Sequence, residues 1–208
     1  SRMLVIHRKT AAMEHRFVRD FPEYLREGDV TVFNDTRVMP ARVFSDDGRV
    51  ELLLLEQESP TAWRSLVRPG KRMRIGHSVQ IAGVTGMVDK VYSDGDRRIC
   101  FESVLDLDRI GKLPLPPYIE RDLQTGDWER YQTVYARESG SVAAPTAGLH
   151  FTPELLGRIH HAFLTLHVGV GTFRPVQTED PEAHPMHSER FRLPTETAEA
   201  IRSATRVI

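Results

Sequence analysis

Apolar residues recur along this chain mostly at the spacing of strands, in short runs closed by turn-forming residues. Leu4 to His7 and Val30 to Phe33 are runs of strand length. Phe17 to Leu25 between them reads as a short helix or turn, ended by the breaker Glu27-Gly28-Asp29. Beyond about Arg42 the rhythm shortens. Val50 to Leu55 is a continuous apolar strand. Trp63 to Val67, Val79 to Ile81, Thr85 to Tyr92 and Arg98 to Glu102 follow, many with period-2 alternation. Pro69-Gly70, Gly76, Gly83 and Ser93-Asp94-Gly95-Asp96 separate them with turn chemistry. Five or six short strands at this spacing predict a small antiparallel β-barrel. Helical segments lie on both sides of it. The expected fold is therefore an α/β main domain, residues 1–43 and 109–208, with an inserted β-barrel over 44–108.

Leu113 to Tyr118 (LPLPPY) has prolines at 114, 116 and 117, which remove backbone donors and fix φ, so it reads as an ordered linker back to the main domain. Asp127 is expected to cap a helix carrying an aromatic stripe, Trp128, Tyr131, Val134 and Tyr135. As helical spacing, that stripe reads as core before it reads as a stacking platform for bases. Ser141 to His150 reads as loop. Thr152 and Pro153 open another helix as N-cap and first helical residue. Leu164 to Val168 is a buried strand, and Thr195 to Arg206 a final helix. The helix from Pro153 runs into Phe163 without an evident turn, so a missing loop is expected near His160, and another near Phe44. Both termini read as strands in progress, which predicts further residues at each end.

Composition narrows the classes. A chain of 208 residues, 40% hydrophobic and 27% charged, can bury a core. A net charge of -1 excludes a general polyanion binder, so any nucleic-acid contact must be local. Arg68, Lys71, Arg72 and Arg74 cluster at one turn of the expected barrel. Solvated surface is the default reading, and phosphate contact the functional one. A single cysteine, Cys100, allows no internal disulfide and fits a reducing compartment. No run approaches the ~20 apolar residues that span a bilayer.

Three polar clusters follow strands or loops: Asn34 to Arg37, Thr146 to His150, and His167 to Thr172. In open α/β sheets, ligands bind beyond the carboxyl ends of strands. Gly169-Val170-Gly171 is only the beginning of a dinucleotide fingerprint, since Phe173-Arg174-Pro175 cannot continue directly as its helix. It is either a tight turn or a loop whose bare backbone approaches a ligand. Any one of His150, His167, His184 and His187 reads first as a structural residue, but set together beside Glu189 they are candidates for proton transfer, because histidine titrates near neutrality. His184 and His187 have a spacing that a metal could use, but the intervening proline and the lack of a nearby cysteine argue against one. Asp35 and Arg37 are expected to pair with each other or anchor a turn, unless Arg37 recognises a polar ligand.

At these residues the chain resembles a known family. VFNDTRVMPAR (Val32 to Arg42), RPGKRMRIG (Arg68 to Gly76), LPLPPYI (Leu113 to Ile119), RYQTVYA (Arg130 to Ala136), GSVAAPTAGLHFT (Gly140 to Thr152), LTLHVGVGTFRPV (Leu164 to Val176) and MHSERF (Met186 to Phe191) occur in this order. Together they resemble the S-adenosylmethionine:tRNA ribosyltransferase-isomerases of queuosine biosynthesis. The resemblance implies a bacterial cytoplasmic transferase, a monomer without membrane attachment. It would move and isomerise the ribosyl group of S-adenosylmethionine onto an aminomethyl-deazaguanine at the tRNA wobble position. Epoxyqueuosine-tRNA, adenine and methionine would be the products. S-adenosylmethionine is then a consumed cosubstrate, with no resident cofactor and no metal. On this reading His150, His167, His187 and Glu189 are the acid and base candidates. Thr146, Ala147, Gly148, Leu149, Phe151, Gly169, Val170, Gly171 and Thr172 would hold S-adenosylmethionine. Asp35, Arg37 and Gln132 would hold the base, and Arg68, Lys71, Arg72 and Arg130 the tRNA backbone. A non-catalytic RNA-binding module and a metal-dependent hydrolase using His150, His184 and His187 remain the alternatives from other classes.

Overall fold

The computed structural model describes residues 1–116, 119, 121, 123–173, 179, 180, 182 and 188–208. In chain order the strands and helices begin with β1 (Arg2–His7) and β2 (Ala12–Phe17), an antiparallel hairpin. A 3-10 helix over Val18–Tyr24 leads to β3 (Asp29–Asn34) and β4 (Thr36–Val38). Then come β5 (Arg42–Phe44), β6 (Glu51–Ser59), β7 (Ala62–Arg68), β8 (Ser78–Ile81), β9 (Val84–Val91) and β10 (Arg97–Phe101). The remainder comprises α1 (Leu107–Ile110), α2 (Asp127–Arg130), β11 (Glu138–Ser141), α3 (Pro153–Leu156), β12 (His161–Leu166), β13 (Phe191–Arg192), α4 (Thr195–Ser203) and β14 (Arg206–Val207).

Strands β5 to β10 form one six-stranded antiparallel sheet in the order β5-β6-β7-β10-β9-β8. Its two edges meet at Asp46. The Asp46 amide donates to the Gln80 carbonyl at 2.9 Å, and the Asp46 carboxylate accepts from the amides of Ala82 and Gly83 at 2.6 and 2.9 Å. The sheet is thereby nearly closed into a barrel. Alternation decides its interior: Val43, Leu52, Leu54, Val88 and Ile99 are fully buried, with Trp63 and Phe101 beside them. Each such side chain contributes roughly 1.5–3 kcal/mol relative to exposure. The turn at 45–50 is compact, with Gly48 donating to the Ser45 carbonyl and Val50 to the Ser45 hydroxyl.

The second sheet has the order β13-β12-β3-β14, with β12 and β14 both parallel to β3. Burial on both faces explains the continuous apolar reading of β3. Helix α4 packs on β12 and β3, and Thr197 donates to the Phe163 carbonyl at 2.6 Å. Phe33, Tyr135 and Leu156 form a small core with Phe151 and Phe163. Asp29 is buried and paired with Arg206, which ties β14 to the start of β3 and holds the Asp29 carboxyl below its ordinary range.

Four expectations about elements need correction. Helix α2 is a single turn, so the stripe does not form: Trp128 and Val134 are exposed, while Tyr131 packs with Val38 and Leu113 and Tyr135 with Phe33. Two separate cores claim the two tyrosines, and this overrides helical spacing. Gly126, at φ +93°, occupies the N-cap position of α2. Asp127 instead accepts both guanidinium nitrogens of Arg121, at 2.7 and 2.9 Å, and the Gln124 amide at 2.8 Å. Thr152 does cap α3, accepting from the Leu155 amide at 3.3 Å, but α3 ends after one turn. Residues 157–160, beginning with Gly157, connect it to β12. Finally, Asp35 does not pair with Arg37. It is buried, pairs with Arg137 at 3.0 Å and accepts from the Thr165 hydroxyl at 2.7 Å, while Arg37 is exposed.

Candidate functional site

The carboxyl ends of β3 and β12 lie side by side because the strands run parallel in register. Asn34 stitches them, its amide group donating to the Leu166 carbonyl at 2.8 Å and accepting from the Leu166 amide at 2.9 Å. The chain beyond β12 then turns across β11. His167 and the next residues come to face the barrel, and a cleft opens at that junction.

The cleft has two adjoining cavities. One, of about 370 Å³, is walled by His167 to Val170 and Ser188 to Arg190 on one side and by Leu55, Glu56, Arg64, Asp94 and Asp96 of the barrel on the other. The second, of about 510 Å³, is lined by Met39, Trp63, Leu105, Leu107, Asp106 and Asp108 among others. Leu55, Gly140, His167 and Arg190 line both, so the imidazole stands on the shared wall.

His167 is held from behind. Its Nδ1 lies 2.9 Å from the Thr36 hydroxyl oxygen, which lies 2.9 Å from that of Ser141. The Ser141 hydroxyl accepts from the Val168 amide at 2.7 Å. Thr36 and Ser141 are fully buried. The ring lies so close to Gly140 that a Cβ there would meet Cε1, Nδ1 and Nε2 at 2.7, 2.8 and 2.9 Å. Burial lowers the His167 pKa below its ordinary value, and the Arg190 charge lowers it further, so the ring is neutral near pH 7. Glu189, also on the wall of the first cavity, accepts from the Gly169 amide at 2.8 Å.

The charge on the walls is lopsided. The first cavity carries Glu56, Asp94, Asp96 and Glu189 against Arg64 and Arg190. Arg64 is engaged by Asp94 and Asp96, and Arg190 by Glu56 at 3.5 Å. The second adds Asp106 and Asp108. Such a cleft favours cationic groups and disfavours phosphate.

Of the residues singled out from sequence, His167, Gly169, Val170 and Glu189 meet in this cleft. His150 does not join them: it is exposed, at the end of a 3-10 helix over Thr146–His150 that lines neither cavity. In that segment Thr146 and Ala147 are exposed, while Gly148 sits under the Tyr135 hydroxyl. Leu149 and Phe151 pack into two different apolar clusters. Gly171 and Thr172 continue from Val170 in another 3-10 turn without lining either cavity. The Gln132 amide is occupied by the backbone of Val38, at 3.0 Å as acceptor and 2.8 Å as donor. Arg68, Lys71, Arg72, Arg74 and Arg130 are exposed. His184 and His187 lie outside the described residues. Glu56, Arg64, Asp94 and Asp96 escaped the sequence reading because barrel residues carry no local mark of facing a distant loop. Gly140, Ser141 and Arg190 stood within the quoted segments without being distinguished there.

These features define a mixed α/β protein with a barrel-like antiparallel sheet and an acidic two-part cleft where the two β-structures meet. The chain belongs to the queuosine biosynthesis protein family, whose model matches residues 1–207. It is 46% identical to an S-adenosylmethionine:tRNA ribosyltransferase-isomerase of Desulfitobacterium hafniense, over 98% of this chain and 64% of that protein. It is 50% identical to a protein of the same name from Symbiobacterium thermophilum, over 97% and 63%. A crystal structure of S-adenosylmethionine tRNA ribosyltransferase from Thermotoga maritima matches with 29% identity and a TM-score of 0.38, over 97% of this chain and 56% of that one. The chain thus spans under two thirds of the length of these relatives.

Proposed function

We propose that this protein is an S-adenosylmethionine:tRNA ribosyltransferase-isomerase, acting in the cytoplasm on the deazaguanine at the tRNA wobble position. One observation carries the reading: His167 stands on the wall shared by two adjoining cavities with an excess of carboxylates. Two cationic reactants can meet there, the sulfonium of S-adenosylmethionine and the aminomethyl group of the base. Phosphate does not suit that cleft, so the tRNA backbone stays outside, with the exposed Arg68, Lys71, Arg72 and Arg130 as its candidate contacts.

The chemistry agrees with the side chains. The sulfonium acidifies the adjacent 5′ carbon, and loss of that proton starts the transfer. Glu189, on the cleft wall, is the candidate acceptor of that proton, and His167 offers a hydrogen bond to the departing adenine. Adenine and methionine are released and epoxyqueuosine-tRNA remains, so S-adenosylmethionine is consumed and is no resident cofactor. The test is adenine release from S-adenosylmethionine by the purified protein. Release is expected only when precursor tRNA is present, and His167→Ala is expected to lower it at least ~100-fold. Release without tRNA, or undiminished release by a folded His167→Ala protein, would overturn the proposal.

A further inference from the structure

We infer that a buried chain of hydroxyls, Ser141 to Thr36 to His167, fixes the imidazole in the tautomer whose proton sits on Nε2, so that His167 meets the cleft as a hydrogen-bond donor. Hydroxyl protons rotate, and their direction follows from what else each oxygen touches. The Ser141 oxygen accepts from the Val168 amide, which cannot accept in return. The 2.9 Å contact between the Thr36 and Ser141 hydroxyls lets either oxygen donate, and we orient it from Ser141 to Thr36 because Thr36 is the one acceptor the described residues offer the Ser141 proton. Thr36 must then send its own proton to His167 Nδ1, at 2.9 Å, or to the Glu138 carbonyl, at 3.4 Å. The shorter contact wins, because hydrogen-bond strength falls steeply beyond about 3.2 Å. Each donor in the chain also strengthens the next. Nδ1 is therefore an acceptor, and a neutral ring must carry its proton on Nε2.

The surroundings agree. Among the described residues no carboxylate competes for Nδ1 behind the ring: Asp35 is committed to Arg137 and Thr165, and Glu138 to Arg192 at 2.9 Å. Gly140 packs so closely on the ring that even an added Cβ would meet it at 2.7 to 2.9 Å. Arg190, on the cleft side, disfavours a second proton on the ring. Thr36 and Ser141 touch neither cavity, so they are positioning residues that act through His167.

The inference rests on the proposed function only for its effect on turnover. The tautomer is read directly from 15N-labelled protein at neutral pH by long-range proton–nitrogen correlation, with the His167 signals assigned by their loss in His167→Gln. Protonated Nε2 and bare Nδ1 are expected. A proton on Nδ1 in the unaltered protein would overturn the inference. Thr36→Val should mix the two tautomers and Thr36→Ser restore the single one. An unmixed Nε2-H form in a folded Thr36→Val protein would also overturn it. Adenine release by Thr36→Val should fall about tenfold in kcat with KM little changed, and Thr36→Ser should recover it. If the tautomer behaves as expected while turnover does not respond, the hydroxyl chain stands and the role given to His167 in ribosyl transfer falls.

Discussion

Replacing Gly140 by alanine tests the packing that holds His167. The new Cβ would lie 2.7 Å from Cε1, 2.8 Å from Nδ1 and 2.9 Å from Nε2, where ordinary contact begins near 3.4 Å. The ring or strand β11 must then retreat by about 0.7 Å, the gap between 3.4 and 2.7 Å. If the ring gives way in the direction away from Thr36, a shift of that size takes the 2.9 Å hydrogen bond past its geometric limit. Gly140 also has φ +153°, which a side chain adopts with strain. Overpacking of this kind costs about 1–3 kcal/mol. We expect the unfolding free energy to fall by about 2 kcal/mol in urea titration at pH 7.5. A double-mutant cycle isolates the cause. In a His167→Ala background the imidazole is gone, so Gly140→Ala should cost at least ~1 kcal/mol less than it does alone. Equal costs in the two backgrounds would refute the reasoning, since the strain would then belong to the backbone and not to the ring.

Two further outcomes are expected. Asp46→Ala removes the acceptor of two amides where the barrel edges meet, and should cost about 1–2 kcal/mol because the site is exposed to water. Fluorescence of the buried Trp63 during urea unfolding reads this, and a midpoint identical to that of the unaltered protein would show the clasp to be idle. The second concerns pH. The His167 pKa is lowered in the folded state, chiefly by burial, so the unfolded chain binds more protons just below the ordinary value of 6.5. Stability should therefore rise as pH increases through that window, and fall again on acidification toward the folded-state pKa. A His167→Gln protein should show a shallower slope over the same range, and an unchanged slope would remove His167 as its source.

The chain by itself determined most of the barrel strands, β3 and β12, and where they break, but carried no mark of β2, β4, β5, β11 or β13. The apolar runs Val50 to Leu55 and Val30 to Phe33 and the turn residues at Gly76 and Gly83 are local facts of the sequence. It also carried the resemblance, because ordered motifs survive without reference to space. What it could not determine is which polar loops share a cleft. The segment from Thr146 to Phe151 reads as strongly as His167 to Thr172, yet it packs its Leu149 and Phe151 into cores, while Glu56 and Arg64 arrive at the site from the barrel unannounced. The single turns α2 and α3 failed the helical reading for the same reason. Contacts more than a hundred residues apart in sequence, such as Thr36 with Ser141 and His167, outweigh the weak preferences of four-residue helices. The parallel pairings of β3 with β12 and of β4 with β11 bring those partners together, and pairing between distant strands is a property of the folded chain, not of either segment.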